Sequence, residues 1–173
     1  MHETDSELEE LQALLDVSLA GSTAHLRSIV KPGERTIPAR QLTEVLTGMC
    51  TLALSTVTAR GEPRIGGVDG HFLHGKWIFG TSTTAAKAVH LRTRPAVSAA
   101  HMRGESLGVF THGAARILNP PDAPADPGWP ETLAYLTTHY GESPTNWGDV
   151  AYYRLDPHWM IVYTFDPKDI TPA

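Results

Sequence analysis

The apolar positions of this chain recur at helical spacing until about residue 48, and from there on they mostly alternate. Leu8, Leu11, Leu14 and Leu15 fall on one side of a helix with acids opposite, so residues 5–29 read as helix, divided by Gly21. The loop "KPGERTIP" leads to "ARQLTEVLTG", a second amphipathic helix ended by Gly48. In "CTLALSTVT" the period is two, with Leu52 and Leu54 on one face and Ala53 and Ser55 on the other. Further strands read from "RIGGVDGHF", "WIFGT", "AVSAAHM", "LGVFTHGAARIL", "VAYYRLD" and "WMIVYTF", the last two split by Asp156-Pro157. A short helix follows "WIFGT", and "PETLAYLTTHYG" is another, with Pro130 in its first turn and Gly141 at its end. Seven short strands in hairpin succession, with helices at the ends, predict a mainly β (α+β) fold built on a small antiparallel barrel.

Composition narrows the function classes. With 173 residues, 41% hydrophobic and 19% charged, the chain is long and apolar enough for one packed domain. A formal net charge of -5 argues against a general nucleic-acid binder. The single cysteine, Cys50, excludes an internal disulfide and a cysteine zinc cage; opening an apolar strand, it reads as core. "MHETDSELEELQALLD" is acidic and has no long apolar run, so neither a secretory leader nor a membrane span is expected, and the default is a cytoplasmic protein with no membrane partner.

The densest chemistry lies in "HGKWIFGTSTTAAKAVHLRTRPAVS", residues 74–98. A strand ends at Gly80, four hydroxyl residues follow from Thr81 to Thr84, and a helix opens with Thr83 or Thr84 as its cap. Lys87, His90 and Arg94 then share one side of that helix or its exit. Hydroxyls, free amides and a lysine suit a phosphate; a capped surface helix with a solvated basic face is the plain alternative. Gly66, Gly67 and Gly70 interrupt the strand before, and Gly80 ends its neighbour. They leave a flat shelf for a planar ring, or else mark bulges and barrel corners. No H-E-x-x-H or paired Cys/His spacing accompanies the nine histidines, and no metal site is assigned. Trp129, Trp147, Trp159, Tyr152 and Tyr153 are candidates for a substrate cleft or for core and dimer contacts.

The order "TLALSTVTARGEPRIGGVDG…GKWIFGTSTTAAKAVHLRTRPAVSAAH…THGAARI" resembles the flavin-binding split-barrel family that contains pyridoxamine 5′-phosphate oxidase, over residues 45–118. The resemblance implies a six-stranded antiparallel split β-barrel with flanking helices over residues 38–173, preceded by an N-terminal helical extension over 1–37. It implies a homodimer with two cofactor sites and a small-molecule substrate. It implies that Ile65, Gly66, Gly67, Val68 and Asp69, with Gly80 and Thr81, contact a flavin ring, and that Ser82, Thr84 and Lys87 face its phosphate. Where the oxidase carries an Arg-Lys pair this chain has Ala86-Lys87, and the oxidase's Arg- and His-rich C-terminal block has no counterpart. The chain is therefore similar to the short, varied members, which use FMN or the deazaflavin coenzyme F-420, while a few bind haem or carry flavin without turnover. The implied activity is a hydride-transferring oxidoreductase, with a non-catalytic flavin carrier as the alternative.

Overall fold

The computed structural model describes residues 2–170. Helix α1 (Asp5–Ala20) starts behind Thr4, whose hydroxyl accepts from the Glu7 amide while the Glu7 carboxylate accepts from the Thr4 amide. Helices α2 (Ala24–Ile29) and α3 (Ala39–Val45) follow. Then come β1 (Met49–Val57), β2 (Pro63–Leu73) and β3 (Lys76–Ser82), the short α4 (Ala86–Leu91), β4 (Ala96–Arg103), β5 (Leu107–Ile117), α5 (Trp129–Tyr140) and β6 (Val150–Thr164). The strands close into an antiparallel barrel in the order β1-β2-β3-β6-β5-β4, the split barrel with flanking helices that the resemblance implies. Among the described residues no helix is long and apolar enough to cross a membrane.

The alternation seen in the sequence sorts side chains between two cores. Leu52, Leu54, Trp77, Phe79, Leu107, Val109, Leu155 and Met160 fill the barrel, and Leu11 and Leu15 of α1 and Leu42 and Val45 of α3 join the same core. Trp77 is fully buried, and its indole N–H donates to the equally buried Thr111 hydroxyl at 3.2 Å, so the barrel holds a large ring without an orphaned donor. The opposite face of β3 carries Ile78, which packs outside the barrel with Leu73, Leu118, Tyr152 and the α5 residues Trp129 and Leu136. The β2–β3 hairpin turns on His74 and Gly75, with φ of 53° and 70°, the backbone of a two-residue type I′ turn.

The pattern-based expectation of seven strands is corrected to six. Asp156-Pro157 does not separate two strands; β6 runs straight through it. Proline lacks the N–H of a regular ladder, and here the ladder slips: Gly113 pairs with Pro157 while His112 pairs with Trp159, leaving His158 as the extra residue of a bulge. Gly113 is required at this point, because a Cβ would overlap the Asp156 carbonyl, which is backbone and cannot rotate away. Gly113→Ala is expected to lower unfolding free energy by about 1–3 kcal/mol, in the range of overpacking substitutions, measured as a lower urea midpoint at unchanged slope.

Candidate functional site

Strand β2 presents its residues to opposite sides. Its register against β1 pairs Gly66 with Leu54, Val68 with Leu52 and Gly70 with Cys50, all turned to the barrel interior, while Ile65, Gly67 and Asp69 face out. The three glycines therefore do not make one shelf. Gly70 accommodates the Leu52 side chain inside the barrel. Gly67 looks outward with nothing within 4 Å of where a Cβ would stand. Val68 is core. Gly80 is not an open shelf either: a Cβ there would come 2.7 Å from Cε1 of Tyr152, whose ring already lies on it.

The helix after the hydroxyl run is shorter than its pattern suggested, and neither Thr83 nor Thr84 caps it. Its N-cap is Ala85, without a side-chain hydrogen bond. The hydroxyls of Ser82 and Thr84 lie 2.9 Å apart, and Ser82 also accepts from the Thr84 amide at 3.3 Å, so the run builds a turn before the helix. The basic residues do share one side, toward β1 and β2. His90 Nδ1 is 2.9 Å from the Thr56 hydroxyl, and Arg94 donates to the Val57 carbonyl at 2.9 Å. Lys87 crosses the inner side of Gly66, with Cε and Nζ each 3.6 Å from the ideal Cβ position. Among the described residues its half-buried ammonium has no hydrogen-bond or ion-pair partner. Ile65, Gly66 and Lys87 line a cleft of about 310 Å³ together with Leu54, Arg64 and His90.

A second cleft, of about 220 Å³, lies on the outside of the barrel between β2, β3, β6 and the end of α5. Asp69, Gly80, Thr81 and Ser82 line it with Tyr140, Trp147 and Tyr152. The expected site residues thus divide between two clefts, and Gly67, Val68 and Thr84 line neither. Of the aromatic candidates, Trp147 and Tyr152 do wall a cleft; Trp129, at the start of α5, packs in the outer core, Tyr153 is barrel core and Trp159 stacks on His112.

Behind Tyr140 stands His71, 2% exposed, with Nδ1 3.2 Å from the Tyr135 hydroxyl and Nε2 2.9 Å from the Tyr140 hydroxyl. Burial, and then the nearby His139, push its imidazole down to about 4 against a weaker upward pull from the Gly48 backbone, so it is neutral at pH 7. Nothing in the linear pattern pairs His71 with tyrosines 64 and 69 residues away. A further cleft, of about 450 Å³ between α1 and the β2–β3 hairpin, is lined by paired charges. There Asp156 accepts from Arg154 and Arg116, and His74 bridges Glu7 and Glu131. Cys50 is buried, and burial pushes its thiol up despite Arg103 nearby, which fits a core role.

No family model and no curated protein matches the chain. Solved structures do. Protein Rv2991 of Mycobacterium tuberculosis superposes with a TM-score of 0.61 at 17% identity, over 77% of this chain and 88% of its own. HutZ, the haem storage protein of Vibrio cholerae, gives 0.58 at 19% over 72% and 91%. An F420 reductase gives 0.52 at 17% over 67% and 92%. The chain therefore has the split-barrel fold found in pyridoxamine 5′-phosphate oxidase-like proteins.

The two paired histidines make opposite contributions to acid stability. For His71 the folded pKa lies below the unfolded value of 6.5, so the unfolded chain binds the extra proton and stability falls as pH drops from 6.5 toward 4. At 1.36 kcal/mol per unit the loss is on the order of 3 kcal/mol. For His74, burial lowers the pKa but the Glu7 and Glu131 contacts outweigh it, so its contribution is present below 6.5 and lost as pH rises through the raised value. Urea unfolding from pH 7 to pH 4 is expected to show a loss of stability that His71→Gln flattens and His74→Gln steepens.

Proposed function

We propose that this chain binds FMN or the deazaflavin coenzyme F-420 and acts as an oxidoreductase on a small molecule. The observation that carries the reading is Lys87: an ammonium without a partner among the described residues, lying against the backbone of a strand glycine at the mouth of a split barrel. The donor set suits the group. Lys87 would take the phosphate in the cleft it lines with Gly66, and the Ser82 and Thr84 hydroxyls on the turn before its helix would have to exchange their mutual bond to join it. The outward backbone around Gly67, where a side chain is missing and space is open, would admit a flat ring along Ile65, Gly67 and Asp69, with the backbone of Gly80 and Thr81 at its edge. Val68 would contribute only its peptide groups. When bound, such a cofactor takes or gives a hydride at its central ring; the chain's own part is to hold it, orient it and exclude water. The F420 reductase of the same fold supports the deazaflavin side of the reading.

Haem, suggested by HutZ, finds both ring nitrogens of His71, His74 and His101 engaged, while His90 and His112 each engage only Nδ1. The rival within the reading is a flavin carrier without turnover. Steady-state reduction of the bound cofactor by a pyridine nucleotide, then oxidation by a small acceptor, separates enzyme from carrier. The reading also sets the protein in the cytoplasm.

The same reading pairs two copies through the outer face of β2, β1, β4 and β5. Gly67, Ala53, Ala100 and Phe110 form one row across it, flanked by Ile65 (77% exposed) and Met102 (59%). A flat face of small residues edged by exposed apolar ones is the kind that a partner covers. Light scattering is expected to give a dimer at micromolar concentration, and Ile65→Lys with Met102→Lys a folded monomer; a monomeric wild type would overturn this arrangement.

Two substitutions test the cofactor directly. Lys87→Ala is expected to weaken FMN or F-420 binding by roughly ten- to a hundredfold, the worth of a charge-assisted contact of about 1.5–3 kcal/mol, in fluorescence titration. Gly67 lies in regular pairing with Ala53 and has an ordinary strand φ, so a bulge does not require it. Gly67→Val is expected to leave the melting temperature of the cofactor-free protein unchanged or slightly higher and to abolish cofactor binding. Wild-type affinity in both variants would sink the reading.

A further inference from the structure

The outer cleft holds a combination that the cofactor reading uses only in part: the ring edge would reach Asp69, Gly80 and Thr81, and the aromatic wall opposite is left over. Among the described residues Asp69 is the only charged group lining the cleft, and its carboxylate has neither an ion pair nor a hydrogen bond. Facing it are the rings of Tyr140, Trp147 and Tyr152. The carboxylate is near enough to both phenols to push their ionisation upward, after burial has done so. The rings are fixed beforehand. Tyr140 is held through its hydroxyl by His71 and packs edge-on to Trp147 at 4.8 Å. Trp147 donates its indole N–H to Glu142 at 2.8 Å, and Tyr152 lies between Gly80 and Trp129.

We propose that this cleft binds a small organic cation, a quaternary or protonated amine or an N-substituted pyridinium ring, between Asp69 and the faces and edges of Tyr140, Trp147 and Tyr152. An anion would meet an uncompensated carboxylate. A neutral apolar ligand would strip water from that carboxylate and return nothing. An organic cation compensates the charge and gains from the aromatic quadrupoles, and rings already locked in place lose little freedom on binding. Within the flavin or deazaflavin reading, on which the word substrate rests, this is where the substrate sits; recognition of a cation does not itself need the cofactor.

The probes are choline and its neutral isostere 3,3-dimethylbutanol, titrated by calorimetry and tryptophan fluorescence into the purified full chain without cofactor. Choline is expected to bind about tenfold more tightly than the isostere. Asp69→Asn, a conservative change at an exposed position, is expected to erase that preference. Trp147→Leu is expected to weaken choline at unchanged melting temperature, since the indole is 44% exposed. Equal binding of the two probes, no choline binding in the millimolar range, or a preference that survives Asp69→Asn overturns the proposal. Lys87→Ala should keep choline binding intact. Failure of the wild-type chain to bind FMN and F-420, with its choline preference preserved, counts against the cofactor reading alone, and cofactor binding without a choline preference counts against the cation cleft alone.

Discussion

Three residues of β1 against three of β4 close this barrel, and the rest of the molecule is arranged around that short seam. Ala53, Leu54 and Ser55 face Ala100, Ala99 and Ser98, whereas β1 pairs with β2 along its whole length. A closed sheet has no free edges, so the seam removes the aggregation hazard that β1 and β4 would carry as edge strands. Small side chains let the two strands meet there. Past Ser55 the strands part, and the gap is where α4 attaches, through His90 on Thr56 and Arg94 on Val57. Lys87 owes its place over Gly66 to those two anchors.

The outside of the barrel is a second structural layer. Strands β2 and β3 send Leu73 and Ile78 outward, and α5 covers them. At the edge of that layer a polar side chain had to be buried, and His71 solves the problem by lying between two phenols. The solution also gives the outer cleft a rigid wall. Packing and site geometry are thus coupled: the interaction that satisfies a buried imidazole is the one that orients Tyr140.

The sequence made the elements visible because their signals are local. The switch from helical to alternating period marks β1, and Gly21 and Gly141 mark helix ends as expected, whereas α3 stops at Val45 with Leu46 as its cap, short of Gly48. The strand count failed at Asp156-Pro157, since a proline looks like a break unless the opposing strand supplies a bulge, and that partner, Gly113, is 44 residues earlier. The site was legible in outline. Lys87 on α4 lies against Gly66 of β2, and Asp69 and Thr81 line one cleft. What spacing could not say is which side of β2 each glycine serves, because that depends on Leu52 inside and Tyr152 outside. The cap went to Ala85 because Ser82 and Thr84 bond to each other. His71 and Tyr140 were invisible as a pair, since α5 brings them together from distant parts of the chain.

The position of β6 has a consequence for how the chain is made. This strand lies between β3 and β5 in the barrel, with residues from 150 onward on β3 and residues up to 164 on β5. It is also the last of the six strands to leave the ribosome. Until it emerges, β3 and β5 each display an unpaired edge, and the nascent chain is an open five-stranded sheet with Trp77 and Thr111 on strands not yet bridged. Insertion of β6 therefore pairs both edges at once.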